Sequence, residues 1–224
     1  MPRATRTDVG DHVYHVLNRA NARVQIFDDA KDYESFELIL EDAVRRYGMR
    51  LLAYCAMPNH WHLVLYPRHD GDLSAFVGWL TNTHTRRWHV SKDTIGEGHL
   101  YQGRYKSFLC QQDGHFLTLV RYVERNPKQA NLVKRAESWQ WSSIWRRENG
   151  TAKQQEILSD WPVKEPKNYL AYLNKPQSEK EEKAIELAID KGRPFGKGDW
   201  LNKIVKKFGL ESALRSPGRP RNGG

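Results

Sequence analysis

Two histidines separated by a single residue, His60-Trp61-His62, are the first side chains in this sequence whose types and spacing can do chemistry. On an extended segment, residues i and i+2 share a face roughly 6.6 Å apart, so both imidazoles can converge on one ion. Alone the pair carries little weight, because a chain with 9 histidines can meet it by accident. Its context adds weight. Alternation puts His60, His62 and Val64 on one side and Trp61, Leu63 and Leu65 on the other, and a purely apolar core face would not take two imidazoles. A second constellation, Tyr122-Val123-Glu124-Arg125-Asn126-Pro127, puts Tyr122 and Asn126 one helical turn apart on one face. Each has an ordinary reading: a half-buried tyrosine with a wet hydroxyl, and an asparagine capping a helix end. Together the four residues offer mixed N/O metal ligands beside a phenolic nucleophile. A free phenol, with a pKa of about 10, is only about 0.1% ionised at pH 7, so Tyr122 would need activation.

The elements that must position these groups follow from periodicity. Residues 12–18 alternate as a strand. A helix follows, with Asp28 and Asp29 as caps, Phe36, Ile39, Leu40 and Ala43 at helical spacing, and Gly48 at its C-terminal end. Strands over 50–56 and 60–66, joined by Met57-Pro58-Asn59, read as a hairpin. Asp72 is expected to cap a helix carrying Leu73, Phe76, Val77 and Leu80, followed by a strand over 105–111. Asp113 opens a further helix with Phe116, Leu117, Val120 and Val123, which Pro127 is expected to end at Asn126. The order strand, helix, two strands, helix, strand, helix implies an α+β sandwich with helices packed on one face of an antiparallel sheet.

The 224 residues carry 36 Lys or Arg and 27 Asp or Glu, a formal charge of +9. The excess is uneven: +4 over residues 1–148, −2 over 149–190 and +7 over 191–224. Three units are therefore expected: a compact domain over 1–148, a Pro-marked linker over 149–177 and a basic helical extension with a flexible tail over 178–224. In the last, Ser178 and Glu181 form a capping-box pattern, and Trp200, Leu201, Ile204, Val205 and Phe208 repeat at helical spacing. These helices can form a small helix-turn-helix-like bundle or dock on the first domain. The apolar runs 51–57 and 63–66 fall far short of the roughly 20 residues a membrane helix needs, so no membrane association is expected. A basic start without a following apolar stretch, and only two cysteines, Cys55 and Cys110, lead to the expectation of a reducing, cytoplasmic and nucleoid-associated setting.

The segment Tyr54-Cys55-Ala56-Met57-Pro58-Asn59-His60-Trp61-His62-Leu63, with Arg121-Tyr122-Val123-Glu124-Arg125-Asn126-Pro127 further on, resembles the REP-associated tyrosine transposases, members of the HUH single-strand nucleases. Gly103-Arg104-Tyr105-Lys106-Ser107, Trp141-Ser142-Ser143, Gly192-Arg193-Pro194-Phe195-Gly196 and Gly218-Arg219-Pro220-Arg221 extend the likeness over nearly the whole chain. Lys128-Gln129-Ala130 departs from it, since the family more usually has an apolar residue and an arginine there. The resemblance implies a ferredoxin-like fold, His60, His62 and Asn126 as ligands of Mg²⁺ or Mn²⁺, and Tyr122 as the attacking residue. It further implies cleavage and rejoining of single-stranded DNA beside an imperfect hairpin through a 5′-phosphotyrosine, with no nucleotide cofactor, by a monomer or homodimer. Arg104, Lys106, Arg125, Arg193, Lys197, Lys206, Lys207, Arg219 and Arg221 are the basic residues expected to meet DNA. Two other readings remain open: a non-catalytic regulator that binds structured DNA or RNA, motivated by the charge, and a metal hydrolase in which water attacks and Tyr122 is structural.

Overall fold

The computed structural model describes residues 7–214. Strands β1 (Val13–Arg19), β2 (Arg50–Met57), β3 (His60–Tyr66) and β4 (Lys106–Cys110) form one antiparallel sheet in the order β2-β3-β1-β4. Helix α1 (Ala30–Tyr47) joins β1 to β2, and α2 (Asp72–Lys92) joins β3 to β4. This is the ferredoxin-like arrangement. Helix α1 forms where apolar residues recur at helical spacing between a good cap and a good stop. Asp29 accepts from the backbone N–H of Lys31 and Asp32, and Gly48 closes the helix in the left-handed conformation at φ 56°. The cap of α2 differs from expectation. Gly71 occupies the capping position, Asp72 lies in the first turn, and the Asp8 carboxylate accepts from Leu73 and Ser74 N–H.

Alternation along the strands sends side chains to two cores. Tyr14, Val16, Tyr54, Trp61, Leu63, Leu65 and Leu109 pack under α1 and α2. Val13, Cys55, Val64, Phe108 and Cys110 point to the other face. Helix α3 (Gly114–Gln129) covers that second face with Phe116, Leu119, Val120 and Val123. The one-sided arrangement thus holds for α1 and α2, while α3 supplies a second layer. Helix α3 does not stop at Asn126; it runs through Pro127 to Gln129. Proline forfeits a single N–H bond, and here Ala130 N–H still reaches Asn126 O at 2.9 Å and Leu132 N–H reaches Pro127 O at 2.9 Å. Pro127 is buried, so packing holds the last turn in place.

The segment expected as a linker is folded onto the domain. Helices α4 (Ser143–Asn149), α5 (Ala152–Gln155) and α6 (Tyr169–Asn174) lie within or next to it, and Ile157, Tyr169 and Leu173 are buried in the two cores. Its prolines bend the chain but do not free it, because these apolar side chains have sheet and helix surface to cover. The extension also docks. Helix α7 (Glu179–Lys191) contributes Ile185 and Ala188 to the α3 side, while α8 (Gly198–Phe208) contributes Ile204, and α9 (Glu211–Leu214) follows. Phe195 pairs with the outer edge of β4, donating to Leu109 O at 2.7 Å and accepting from Gln111 N–H at 2.9 Å. The β2 edge is covered too: Ala56 N–H donates to Trp141 O, and Ser159 N–H to Leu51 O. Among the described residues, no helix is long and apolar enough to cross a membrane.

Candidate active site

The expected site residues meet on the α3 face of the sheet. His60 and His62 project from β3 with ring centroids 4.9 Å apart. Tyr122, presented by α3, sets its ring edge-on to His62 at 5.8 Å and 86°. Asn126 lies one turn further along, its Nδ2 donating to the Tyr122 carbonyl oxygen at 3.2 Å. This convergence follows from two local rules: the strand period of two places both imidazoles on one face, and the helical period places phenol and amide together. The packing of α3 across that face brings Tyr122 against His62, while the cavity that Tyr122 and Asn126 line is otherwise walled by Arg125, Gln129, Gln177, Glu182 and Glu186.

Sequence reasoning missed two residues of β1. His15 is buried, and its Nε2 lies 2.9 Å from Nδ1 of His62. Arg19 lies on the same alternating face and stands directly opposite His60 in the β1–β3 ladder. A signal for His15 was present, since it occupies the middle of the alternating set Val13, His15, Leu17, where an apolar residue would satisfy a core. Its meeting with His62 depends on register, which no local pattern carries.

Burial pushes all three imidazoles toward the neutral form: His60 falls to about 4 and His15 to about 3, while His62 falls well below its usual value. Neighbouring histidines and Arg19 add to that effect. Burial raises the Tyr122 phenol; the Glu186 carboxylate adds to this, while the Asn126 amide and the Arg19 guanidinium oppose it. The phenol is therefore neutral in the free protein at pH 7.

The donors fit a divalent ion. His60 Nδ1 lies 2.6 Å from Asn59 Oδ1, which fixes the proton there and leaves Nε2 with a lone pair. His62 Nδ1 faces His15, so its Nε2 is the nitrogen left for a ligand. Asn126 keeps its Oδ1 while Nδ2 is engaged. Among the described residues no group of three His, Cys, Asp or Glu side chains is placed to hold a metal, so a third protein donor has to be of another type.

The expected basic contacts divide. Arg104 and Lys106 are exposed beside a cavity that also involves Arg19, although Lys106 Nζ is held by Asp190 at 2.9 Å. Lys197, Lys206 and Lys207 are exposed and Arg193 is half-buried. Arg125 does not offer a surface cation. It is buried and bonded to Gln129, because that side of α3 lies under the chain around Gln177 and Glu182. Arg219 and Arg221 lie outside the described residues. The tryptophans near the end of the domain do structural work: Trp141 stacks on Tyr33 at 4.8 Å, and Trp139 donates to Ala56 O at 2.8 Å.

Comparison with known proteins gives four findings. The family model for IS200-like transposases matches residues 8–126. A solved structure of a REP-associated tyrosine transposase bound to a REP hairpin is similar at 18% identity and a TM-score of 0.55, covering 67% of this chain and 87% of that one. A candidate transposase from Deinococcus radiodurans R1 is similar at 23% identity and a TM-score of 0.39, covering 58% of this chain and 95% of that one. No curated protein matches the chain.

Proposed function

The chain belongs to the IS200-like transposase family, and from that premise we propose that it cuts and rejoins single-stranded DNA beside a hairpin through a covalent bond to Tyr122. The observation that carries this reading is the edge-on contact of the Tyr122 ring with His62, 5.8 Å between centroids and made within one chain. A nucleophile on one element and ligand-type nitrogens on another have little reason to meet in a merely structural core.

In the forward direction the Tyr122 Oη forms a bond to phosphorus as the bond from phosphorus to the 3′ oxygen breaks. The phenolic proton passes to solvent, and the departing oxygen takes up a proton as a 3′-hydroxyl. The phosphodiester energy stays in the 5′-phosphotyrosine, so the reverse reaction rejoins a strand without a nucleotide cofactor. His60, His62 and Asn126 are the residues that would hold Mg²⁺ or Mn²⁺, and such an ion supplies Lewis-acid polarisation of the phosphate. The two imidazoles are neutral at pH 7, as ligands must be. Asn126 holds the last turns of α3 in register with Tyr122 through its bond to the Tyr122 carbonyl. The exposed Arg104, Lys106, Lys197, Lys206 and Lys207 are suited to the DNA backbone. The choice of a hairpin substrate is supported by the solved relative, which was bound to one.

The test is covalent capture. Purified protein is incubated with labelled single-stranded DNA bearing an imperfect hairpin flanked by randomised positions, with Mn²⁺ or with EDTA. A denaturing gel should show a protein–DNA adduct that needs the metal and vanishes in Tyr122→Phe. Hairpin binding without any adduct, indifferent to EDTA and to Tyr122→Phe, would instead favour the regulator reading. A free 5′-phosphate product from the first turnover would favour attack by water.

A further inference from the structure

We propose that Arg19 is a catalytic residue that holds the scissile phosphate of the DNA strand, and that the groove beside it takes the adjoining nucleotide. The inference rests on the phosphodiester-cleaving reading above and assigns a residue which neither motif contains.

Four observations converge on Arg19. It ends β1 on the same face as His15, and its backbone stands opposite His60, about 5 Å away as cross-strand partners do. Its charge is felt electrostatically at His60, His62 and Tyr122, in keeping with that register. No carboxylate or other acceptor among the described residues engages that half-buried guanidinium. Two buried arginines, by contrast, have carboxylate partners: Arg121 is held by both oxygens of Glu181, and Arg146 by Glu37 and Glu41. Arg19 also lines a cavity of about 420 Å³ with Asn18, Gln102, Arg104, Lys106 and Asp190. That cavity runs from Arg19 to the exposed positive charge of Arg104 and Lys106.

An unpaired guanidinium across the ladder from the histidine pair that Tyr122 touches calls for an anion. The planar fork of arginine matches two phosphate oxygens at once, a match a lysine makes only as a point charge. A phosphate engaged there lies within reach of Tyr122, and Asn18 and Gln102 offer polar groups to the sugar or base that follows. Arg19 would gain most as charge builds on the phosphate oxygens during attack, and it needs no rearrangement to do so.

The experiment uses the full chain and the hairpin oligonucleotide that the wild-type protein cleaves, made with either a natural or a neutral methylphosphonate linkage at the scissile position. Single-turnover adduct formation and DNA affinity are measured for wild type, Arg19→Ala, Arg19→Lys and Tyr122→Phe. On the natural linkage, Arg19→Ala should slow adduct formation about 10²- to 10³-fold, far more than it weakens binding, with partial recovery in Arg19→Lys. On the methylphosphonate, which lacks the charge that Arg19 meets, the gap between wild type and Arg19→Ala should shrink to about tenfold or less. A full-rate Arg19→Ala, or the same loss on both linkages, overturns the assignment. Should Arg19→Ala fail to fold, the two linkages are compared with Arg19→Lys, where an unchanged gap is again decisive. The two readings separate cleanly. An adduct in Tyr122→Phe, or none in any variant, sinks the functional proposal and this one with it, whereas a Tyr122-dependent adduct insensitive to Arg19 sinks this one alone.

Discussion

The two faces of the sheet are made by the same strands and do opposite work. On the α1–α2 side, β3 offers Trp61, Leu63 and Leu65, and β1 offers Tyr14 and Val16, all within one apolar core. On the α3 side the same two strands offer His60, His62, His15 and Arg19 at their site-bearing ends, while Val13 and Val64 keep the other ends apolar. The lesson is that one face carries the stability that the other gives up. Burying three imidazoles disfavours their charged form, a cost that appears as pH falls below the free histidine value of 6.5 and that the aromatic packing behind them offsets. Because adjacent residues in β3 belong to different faces, substitution can separate the two roles one position at a time.

The strongest test of this division is Trp61→Ala. Its ring is fully buried against Phe36, and its Nε1 donates to the Tyr101 hydroxyl at 2.8 Å. Truncation should cost about 3–5 kcal/mol of unfolding free energy in urea titration. The neighbouring change, His60→Ala, should do the reverse: adduct formation should drop by about 10²-fold or more, while the urea midpoint moves little. A large stability loss at His60 would break the comparison.

A third prediction concerns Glu124, buried between the faces' supports on α3. Its Oε1 lies 2.6 Å from Ser143 Oγ, and its Oε2 accepts from the Tyr169 hydroxyl at 2.6 Å. Ser143 Oγ also faces the Tyr54 carbonyl at 3.1 Å, so one hydroxyl proton is shared between two acceptors. Burial raises the Glu124 carboxyl to about 7 despite these bonds. A raised folded-state pKa gives stability that is fully present below the unfolded carboxylate range and lost as pH rises through 7. The Glu124 contribution should therefore shrink by up to about 3 kcal/mol between pH 4.5 and pH 8, read as the difference in unfolding free energy between wild type and Glu124→Gln, because the buried histidines, which act in the opposite direction, are common to both proteins. A difference between wild type and Glu124→Gln that stays constant or grows over this interval would contradict the assignment. The smallest expected effect is at the α1 cap. Asp29→Ala removes the acceptor for Lys31 and Asp32 N–H, which should lower stability by about 1 kcal/mol in the same titration and leave adduct formation intact.

Much of this organisation was legible before any coordinates. The strands, the first three long helices, the Met57-Pro58-Asn59 hairpin and the two-sided alternation of β3 are written in periods of two and 3.6 and in local caps. These signals act between residues a few positions apart, so a linear reading can find them. The linker reading failed because prolines mark a bend in the chain but say nothing of whether Tyr169 and Leu173 find a surface to cover. The expected end of α3 failed for a related reason: Pro127 removes one bond locally, and burial of that turn keeps the rest. The α2 cap came from Asp8, which lies 65 positions before Leu73.

By itself, then, the sequence determined the element types, the faces that His60, His62, Tyr122 and Asn126 must occupy within their own elements, and the uneven spread of positive charge. Only the tertiary structure decided that α3 lies across the histidine face, that His15 backs His62, that Arg19 stands opposite His60, and that Arg125 is buried. Dihedral preference and side-chain periodicity are properties of neighbouring residues. Register between strands and the seating of a helix on a sheet are set by contacts among residues far apart in the chain, and those exist only once the whole core has closed.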